Sequence, residues 1–526
     1  MFACGFCIQS KRLEYMGHRP LLRIIVMANF SRLANPPRIL ALLALAALPL
    51  SLPAQSAVSS EPASKQLHSD VPQSLQSQQE NFSLELMQQL QAIKTAALSD
   101  EYAYRQLAHL TENIGARLSG SAGAKAAVAY VAEQMRDLGL DVHLEEVKVR
   151  RWVRGVEAAA LVEYSGKAQG TQQRIVVAAL GGSTSTGADG ITVDLVVVND
   201  FDHLKALGHD QVAGKIVLFN EKFDKRKAEA GLAVTSYREG VAYRERGPAA
   251  AAELGAVAAL VRSIGSADYR LPHTGDSDPA GIPAGAVSAE DADLIAHLAA
   301  EGPVRMHLTL TPQKLPDETS YNVIGDLRGN QHPEQVVIVS GHLDSWDLGT
   351  GALDDGAGVV IAMETAHLLQ QLHLHPKRTL RVIAWVDEET DGAGSAQYRK
   401  DNRSELNNHV AAIESDVGAA HPLGFVAKVS KAAAEALKPV QTVLSSIGAT
   451  ALQETSQPPG ITDIAPMSEE GVPLLGILQD MRKYYDYHHT AADTLDKVVP
   501  SELRENAAAM AVMAYALADM KEPLPR

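Results

Sequence analysis

Three apolar runs that end in histidine or acidic residues limit the folds open to this chain. The run VVIVS at 336–340 leads directly into GHLDSWD, and the runs LRVIAW and HVAAI lead into DEE and ESD. Short continuous apolar runs are typical of strands buried on both faces, as in parallel sheets. In such α/β sheets, functional side chains collect beyond the carboxyl ends of the strands. The sequence therefore predicts an α/β fold with a polar site at one edge of its sheet.

The residues that follow these runs are suited to a metal ion. The segment GHLDSWDLGTGALDDGAG carries two carboxylates next to each other and a histidine, and YYDYHHTAADT near the C-terminus adds His488 and His489. Zinc binds imidazole nitrogen and carboxylate oxygen, and a catalytic zinc keeps one position open for water. Isolated acidic residues or histidines are usually structural, but four such segments together predict a zinc site.

The same motifs resemble those of the co-catalytic zinc metallopeptidases of the bacterial aminopeptidase and plasma glutamate carboxypeptidase family. The similar segments are GHLDSWD…DDGAG, ESD and HH-x-x-x-D, and the resemblance runs from about Tyr104 to Leu517. It implies a mixed β-sheet flanked by helices, the zinc exopeptidase fold. It also implies an inserted β-rich domain similar to a protease-associated domain.

The resemblance also implies a ligand set for two Zn²⁺ ions. His342 and Asp416 would be the terminal ligands of one ion, Glu389 and His489 those of the other, and Asp354 would bridge both. Three carboxylates against four positive charges leave one positive charge, which suits a bridging hydroxide. The family pattern further implies a cis peptide bond between Asp354 and Asp355.

Three further residues have expected roles at this site. By resemblance, Glu388 is the general base, and Asp344 is a carboxylate that orients the imidazole of His342. Glu388 and Glu389 are neighbours, and neighbours on a strand face opposite sides, so the chain must leave strand geometry there. His488 would donate a hydrogen bond to the oxyanion, with a packing role as the alternative.

The expected function is that of an exported di-zinc exopeptidase that hydrolyses short peptides or dipeptides. Both carboxypeptidase or dipeptidase activity and aminopeptidase activity are open. Alternatives on the same fold are hydrolysis of an N-acyl amino acid, cyclisation of N-terminal glutamine, or binding without catalysis. A non-catalytic protein would lack ligands, whereas all five ligands and the general base are present.

The chain of 526 residues is longer than one core usually supports, so more than one domain is expected. We expect the catalytic domain to cover 83–150 and 313–526. The segment 151–312, with short strands and glycine-rich turns, would form the inserted domain, which carries no histidine–carboxylate cluster. Residues 58–82 are rich in Ser, Gln and Pro and predict a disordered leader.

The N-terminal segment has the order of a secretory signal. Arg32 and Arg38 precede the apolar run at 39–52, and small residues follow at 54–57. We therefore expect residues 1–57 to comprise a signal peptide, with a possible over-extended gene start before Met27. Cleavage would leave a periplasmic or secreted protein without a membrane anchor and without Cys4 and Cys7. The run is too short to span a bilayer comfortably.

The net charge of the chain limits the classes of binding partner that we expect. The net charge of −16 argues against nucleic acid or an anionic membrane as a partner. A short peptide is the expected substrate. A homodimer is possible by resemblance to the family.

Overall fold

The computed structural model describes residues 81–526. The predicted signal peptide and all but the last two residues of the predicted leader lie outside this range. Those two residues are structured: Phe82 is buried, and the amide of Glu522 donates to Asn81 Oδ1 at 2.7 Å. The leader prediction therefore extended two residues too far. Within 81–526, no helix is both long enough and apolar enough to cross a bilayer.

The N-terminal part of the described chain is helical and then enters a long strand. Its elements are α1 (Leu84–Ala97), α2 (Tyr102–Ala108) with a π-helical turn at His109–Ile114, α3 (Ala122–Asp137) and β1 (Asp141–Val153). The Ser121 hydroxyl accepts from the amide of Ala124 and caps α3, and Gly139 at φ 75° follows its end. Helix α3 therefore begins at a capping serine and ends before a glycine in the left-handed conformation.

The segment from 157 to 310 builds a sheet of its own. Its strands are β2 (Glu157–Glu163), β3 (Gln173–Ile175), β4 (Val177–Ala179), β5 (Ile191–Val198), β6 (Ile216–Phe219), β7 (Ala258–Arg262), β8 (Ala284–Val287) and β9 (Val304–Leu310). Its helices are α4 (Phe201–Val212), α5 (Lys225–Glu229), α6 (Ala233–Glu245), α7 (Gly247–Glu253) and α8 (Ala289–Glu301). Ser288 caps α8, because its hydroxyl accepts from the amide of Asp291.

The remaining chain returns to the first sheet. Its strands are β10 (Gln313–Leu327), β11 (His332–His342), β12 (Arg378–Trp385), β13 (His409–Glu414), β14 (Pro422–Lys428), β15 (Ala451–Glu454) and β16 (Leu474–Gln479). Its helices are α9 (Ala357–Gln371), α10 (Ala393–Asp401), α11 (Lys431–Ala436), α12 (Lys438–Leu444) and α13 (Pro500–Asp519). Short 3₁₀ helices cover Leu406–Asn408, Ser445–Ile447, Ala465–Glu470, Met481–Asp486 and Leu495–Lys497.

The first sheet has the order β1-β10-β12-β11-β13-β16-β14-β15. Its centre, β12-β11-β13-β16, is parallel, whereas β1, β10 and β14 pair antiparallel to their inner neighbours. Helices α9 and α13 cover one face, and the side chains of Val337, Ile338 and Val339 are fully buried. Burial of each such side chain contributes about 1.5–3 kcal/mol. The predicted α/β fold with a mixed sheet flanked by helices is confirmed.

The second sheet has the order β3-β2-β9-β5-β6-β7-β8-β4. Four of its strands, β5 to β8, are parallel. Helix α4 lies between β5 and β6, and α5 to α7 lie between β6 and β7, so this unit is α/β rather than mainly β. It joins the first sheet through β1 and β10, which pair with each other from Asp141↔Asp326 to Val153↔Gln313. A paired two-stranded connection of this length holds the unit beside the first sheet.

Candidate metal centre and active site

A cavity of about 490 Å³ lies where the carboxyl ends of the parallel strands of the first sheet meet the second unit. His342 ends β11, Glu388 and Glu389 follow β12, and Asp416 follows β13. The loop before α9 supplies Asp354, and the loop after β16 supplies His488 and His489. All the residues predicted for the site therefore lie in one region.

The five predicted ligands form two groups around one carboxylate. His342 Nε2 lies 3.3 Å from Asp354 Oδ1 and 3.3 Å from Asp416 Oδ1. His489 Nε2 lies 3.2 Å from the other oxygen, Asp354 Oδ2, and 3.0 Å from Glu389 Oε2. Asp354 thus presents one oxygen to each group, as a carboxylate between two cations would.

Some buried carboxylate oxygens of this cluster have no hydrogen-bond partner and are suited to binding cations. Asp354 Oδ2 and Glu389 Oε1 are buried and accept no hydrogen bond. Burial alone would lower the pKa of His342, but the carboxylates of Asp354 and Asp416 outweigh it and raise that pKa well above its ordinary value. Such an excess of buried negative charge calls for cations. Imidazole nitrogens with carboxylate oxygens are a zinc-binding donor set.

Glu388 lies beside the cluster and farther from it than the ligand candidates. Its Oε2 is 4.0 Å from His342 Nε2, and its side chain is 15% exposed toward the cavity. The strand ends at Trp385, and Asp387 adopts a left-handed conformation at φ 68°. This turn lets the neighbours Glu388 and Glu389 both face the site, so the predicted departure from strand geometry is confirmed. Burial and the charge of Asp416 raise the pKa of Glu388.

The expected role of the Asp344 carboxylate is corrected by the structure. His342 Nδ1 lies 3.1 Å from the backbone carbonyl of Asp344 and 3.8 Å from the carboxylate, which is beyond hydrogen-bond distance. The carboxylate instead accepts from the amides of Glu388 at 3.2 Å and Glu389 at 3.3 Å, and from the Ser119 hydroxyl. Asp344 therefore orients His342 through its carbonyl, and its carboxylate holds the Glu388–Glu389 turn.

The second unit supports the two histidines of the C-terminal loop. His489 Nδ1 lies 3.2 Å from the carbonyl of Thr274, which leaves Nε2 facing the carboxylates. His488 stacks on His489 with ring centroids 3.7 Å apart, and its Nδ1 lies 3.1 Å from His273 Nε2. Burial and the neighbouring His489 lower the pKa of His488 well below its usual range, so its imidazole is neutral.

Several supporting residues were missed by sequence reasoning. Asp493 accepts from the amides of Ala352, Leu353 and Asp354 and fixes the loop that carries the bridging carboxylate. This aspartate belongs to the HH-x-x-x-D motif, which could have indicated its importance. Arg117 is fully buried and donates to the carbonyls of 343, 350 and 351. No local sequence signal distinguishes Arg117 from a surface arginine.

The loop between Asp354 and α9 has the conformation expected from the resemblance. The Asp354–Asp355 peptide bond is cis. The Asp355 carboxylate accepts from the amides of His342 and Gly358, each at 3.0 Å. It thereby links the end of β11 to the first turn of α9.

The site has the features of a metal-dependent hydrolase. Imidazoles and carboxylates gather at the carboxyl edge of an α/β sheet, and a partly exposed glutamate lies beside them.

Comparisons with known proteins identify the family within this class. The model of peptidase family M28 matches residues 322–514. Carboxypeptidase Q from Bos taurus is 36% identical over 430 residues, which cover 81% of this chain and 87% of that protein. The Xenopus laevis protein of the same name is 37% identical with the same coverage.

Solved structures agree with this relationship. The crystal structure of a peptidase M28 precursor from Shewanella amazonensis superposes with a TM-score of 0.78 at 34% identity, covering 84% of this chain and 98% of that one. A zinc aminopeptidase from Bacillus subtilis, 21% identical, has a TM-score of 0.57 over 81% of this chain and 98% of its own, and it shares the fold. The chain belongs to peptidase family M28 and is a zinc exopeptidase.

Proposed function

We propose that this enzyme binds two Zn²⁺ ions and hydrolyses short peptides, dipeptides above all, with Glu388 as the general base. The observation that carries this proposal is the position of Asp354. Its two oxygens lie 3.3 and 3.2 Å from the Nε2 atoms of two different histidines. A single ion would need only one of these groups, whereas two-metal sites use a shared carboxylate and stabilise both the attacking and the leaving atoms.

The residues present would hold the two ions in the arrangement that the family resemblance implies. His342 and Asp416 would complete one site and Glu389 and His489 the other, with Asp354 shared. Bound zinc would supply Lewis acidity, which lowers the pKa of a water molecule to near neutrality and polarises the scissile carbonyl. Glu389 Oε1 and Asp354 Oδ2, buried without hydrogen bonds, support this assignment.

The proton transfers fall to Glu388. The carboxylate takes a proton from the attacking water and returns it to the leaving amine as the C–N bond breaks. His488, neutral and held at Nδ1 by His273, would donate from Nε2–H to the oxyanion. Asp344 keeps Glu388 in place by accepting from its amide.

The shape of the cavity supports a small substrate. A volume of about 490 Å³ holds a dipeptide or tripeptide, within the range of ordinary small-ligand sites. The second unit closes one side with α6 and the 276–278 segment, and Tyr484 and Tyr485 border the cavity from the C-terminal loop.

We further propose that the enzyme is exported to the periplasm or the medium. The support is the sequence order of Arg32 and Arg38, the apolar run at 39–52 and the small residues at 54–57.

A combined metal and activity measurement tests the proposed function. Purified enzyme, dialysed against metal-free buffer, should contain two zinc ions per chain and should hydrolyse dipeptides. Chelation should abolish hydrolysis, and added Zn²⁺ should restore it. A stoichiometry of one zinc per chain, or release of a cyclised product instead of free amino acids, would contradict the proposal.

A further inference from the structure

Helix α9 carries a glutamate and a histidine that do not line the proposed active site. Glu364 and His367 are three residues apart, so they are neighbours on the helix surface, about two turns from its start. Asp100, in the connection between α1 and α2, faces them, and its Oδ2 lies 3.3 Å from His367 Nε2. Ligand atoms of all three side chains lie within 4.8 Å of one another. We call these three residues the α9 cluster.

Both carboxylates of the α9 cluster are held by one oxygen each. Glu364 Oε2 accepts from the amide of Ala103 at 2.9 Å, and Asp100 Oδ1 accepts from the amide of Tyr102 at 2.7 Å. The other oxygen of Asp100 faces His367. The other oxygen of Glu364, Oε1, is buried and has no hydrogen-bond partner, although this side chain is only 1% exposed. Capping of α2 therefore explains half of each carboxylate and leaves the rest without a role.

The negative charge of the α9 cluster has no basic partner close by. Among residues 81–526, no lysine or arginine nitrogen lies within 4 Å of either carboxylate. Gln371 reaches Asp100 Oδ2 at 3.3 Å, but its amide is neutral. Burial, with the charge of Asp100 adding to it, raises the pKa of Glu364 to about 8, so without a cation this carboxyl holds a proton near neutral pH. A divalent cation in place of that proton would satisfy Oε1 and neutralise both carboxylates.

The spacing of the α9 cluster suits a metal ion. Two ligands that bind one zinc at about 2.0–2.2 Å in tetrahedral geometry lie roughly 3.3–3.6 Å apart. The separation of 3.3 Å between His367 and Asp100 equals that between His342 and Asp416 in the proposed catalytic centre. The imidazole of His367 is held in place by stacking on a tyrosine, with ring centroids 4.4 Å apart. Its side chain is 23% exposed, which gives an ion access from solvent.

We propose that Asp100, Glu364 and His367 form a second metal site, separate from the catalytic centre, which binds a divalent cation such as Zn²⁺. One imidazole and two carboxylates are a zinc-binding donor set, and water would complete the coordination. The ion would fasten the connection between α1 and α2 to α9, and its role is structural. With three protein ligands at a partly exposed position, this site is weaker than the catalytic centre, so dialysis empties it and added cation refills it.

Anomalous diffraction at the zinc absorption edge tests the proposal directly. In a crystal of the wild-type enzyme soaked with Zn²⁺, we expect a peak within the α9 cluster, about 2.0–2.2 Å from His367 Nε2. The catalytic centre of the same crystal is the internal control. Peaks at the catalytic centre with none at the α9 cluster would overturn the proposal and leave the peptidase function standing.

Thermal unfolding tests the same site in solution. Zn²⁺ added to the dialysed wild-type enzyme should raise the unfolding midpoint progressively, because a ligand that binds only the folded state stabilises it. His367→Gln should abolish this rise, bind one zinc equivalent fewer and leave kcat unchanged. Glu364→Gln, which keeps the shape of the side chain, should behave in the same way.

The matched control is His297→Gln. His297 also lies beside a carboxylate on a helix, 3.6 Å from Glu301, but both side chains are exposed. This variant should keep the full rise in the unfolding midpoint and the additional zinc equivalent. An undiminished rise in both His367→Gln and Glu364→Gln would refute the site. If neither variant folds, the anomalous peak in the wild-type crystal decides.

Discussion

The carbonyl of Thr274, in the second unit, lies 3.2 Å from His489 Nδ1 in the first. Because this contact directs His489 Nε2 toward Asp354 and Glu389, the second unit takes part in shaping the metal centre. His273, the preceding residue, contacts His488 through its side chain, with Nε2 3.1 Å from His488 Nδ1. The inserted segment therefore forms one wall of the cavity and also orients the two histidines, although it contributes none of the five proposed ligands.

Replacing Glu388 with Gln should separate metal binding from catalysis. Glutamine keeps the shape of the side chain but cannot carry the proton. We expect zinc content to stay unchanged and kcat to fall by about 10²-fold or more. The exposed Glu301→Gln is the control and should keep full activity. Turnover near that of the wild type in Glu388→Gln, measured on a dipeptide, would remove Glu388 from the mechanism.

Replacing Asp493 with Asn should lower the affinity for zinc, because Asp493 supports the loop that carries Asp354. Asparagine keeps one oxygen acceptor, but its NH2 group would replace the other carboxylate oxygen, and at least one of the three backbone amides that now donate to Asp493 would face a donor. We expect zinc affinity to fall by about 10–100-fold, the usual effect of losing a supporting group. Competition with a chelator measures this. Asp496→Asn, exposed and three residues on, should have no effect; equal zinc affinities in both variants would contradict the role.

His488→Phe should remove the proposed oxyanion donor while preserving the ring that stacks on His489. We expect kcat to fall by about 10²–10³-fold, as for loss of one oxyanion-hole donor, with KM and zinc content little changed. His297→Phe, on an exposed helix face, serves as the control. If His488 serves only to pack against His489, the His488→Phe variant will keep most of the wild-type kcat, and the role as oxyanion donor will be wrong.

Glu364 should make stability depend on pH. Burial, with the charge of Asp100 adding to it, raises the pKa of this carboxyl to about 8. Because the folded-state pKa lies above the unfolded value, the protonated carboxyl contributes to the stability of the folded protein. This contribution is complete below about pH 4.5 and is lost as the pH rises to about 8. The loss is at most about 5 kcal/mol. Glu364→Gln should thus gain unfolding free energy relative to wild type between pH 5 and 8, in denaturant titrations; parallel curves would contradict the shift.

Export should remove the N-terminus between about Ala54 and Ala57. N-terminal sequencing of enzyme recovered from the periplasm or the medium measures the cleavage site directly. Mature chains that begin at Met1 or Met27 would show that the apolar segment at 39–52 is not a cleaved signal. A variant with Arg inserted in that apolar run should remain in the cytoplasm, since a charge there is costly to insert.

Much of the site could be predicted from local sequence because its residues follow strands. His342, Glu388, Glu389 and Asp416 each come directly after an apolar run, and parallel strands bring their carboxyl ends to one edge. The role of Asp344 was harder to predict. Its residue type suggested a carboxylate contact with His342, whereas the backbone geometry presents the carbonyl.

Local sequence specified the strands, the capped helices and the order of the metal-binding motifs, because apolar periodicity, caps and short motifs act between near neighbours. The tertiary structure alone brought Arg244, His273 and Thr274 to the cavity. His273 and Thr274 each meet their histidine partner across 215 residues of chain. Arg117 is likewise buried only because three carbonyls from distant loops surround it. Contacts of this kind depend on how two sheets pack, and no local pattern encodes that packing.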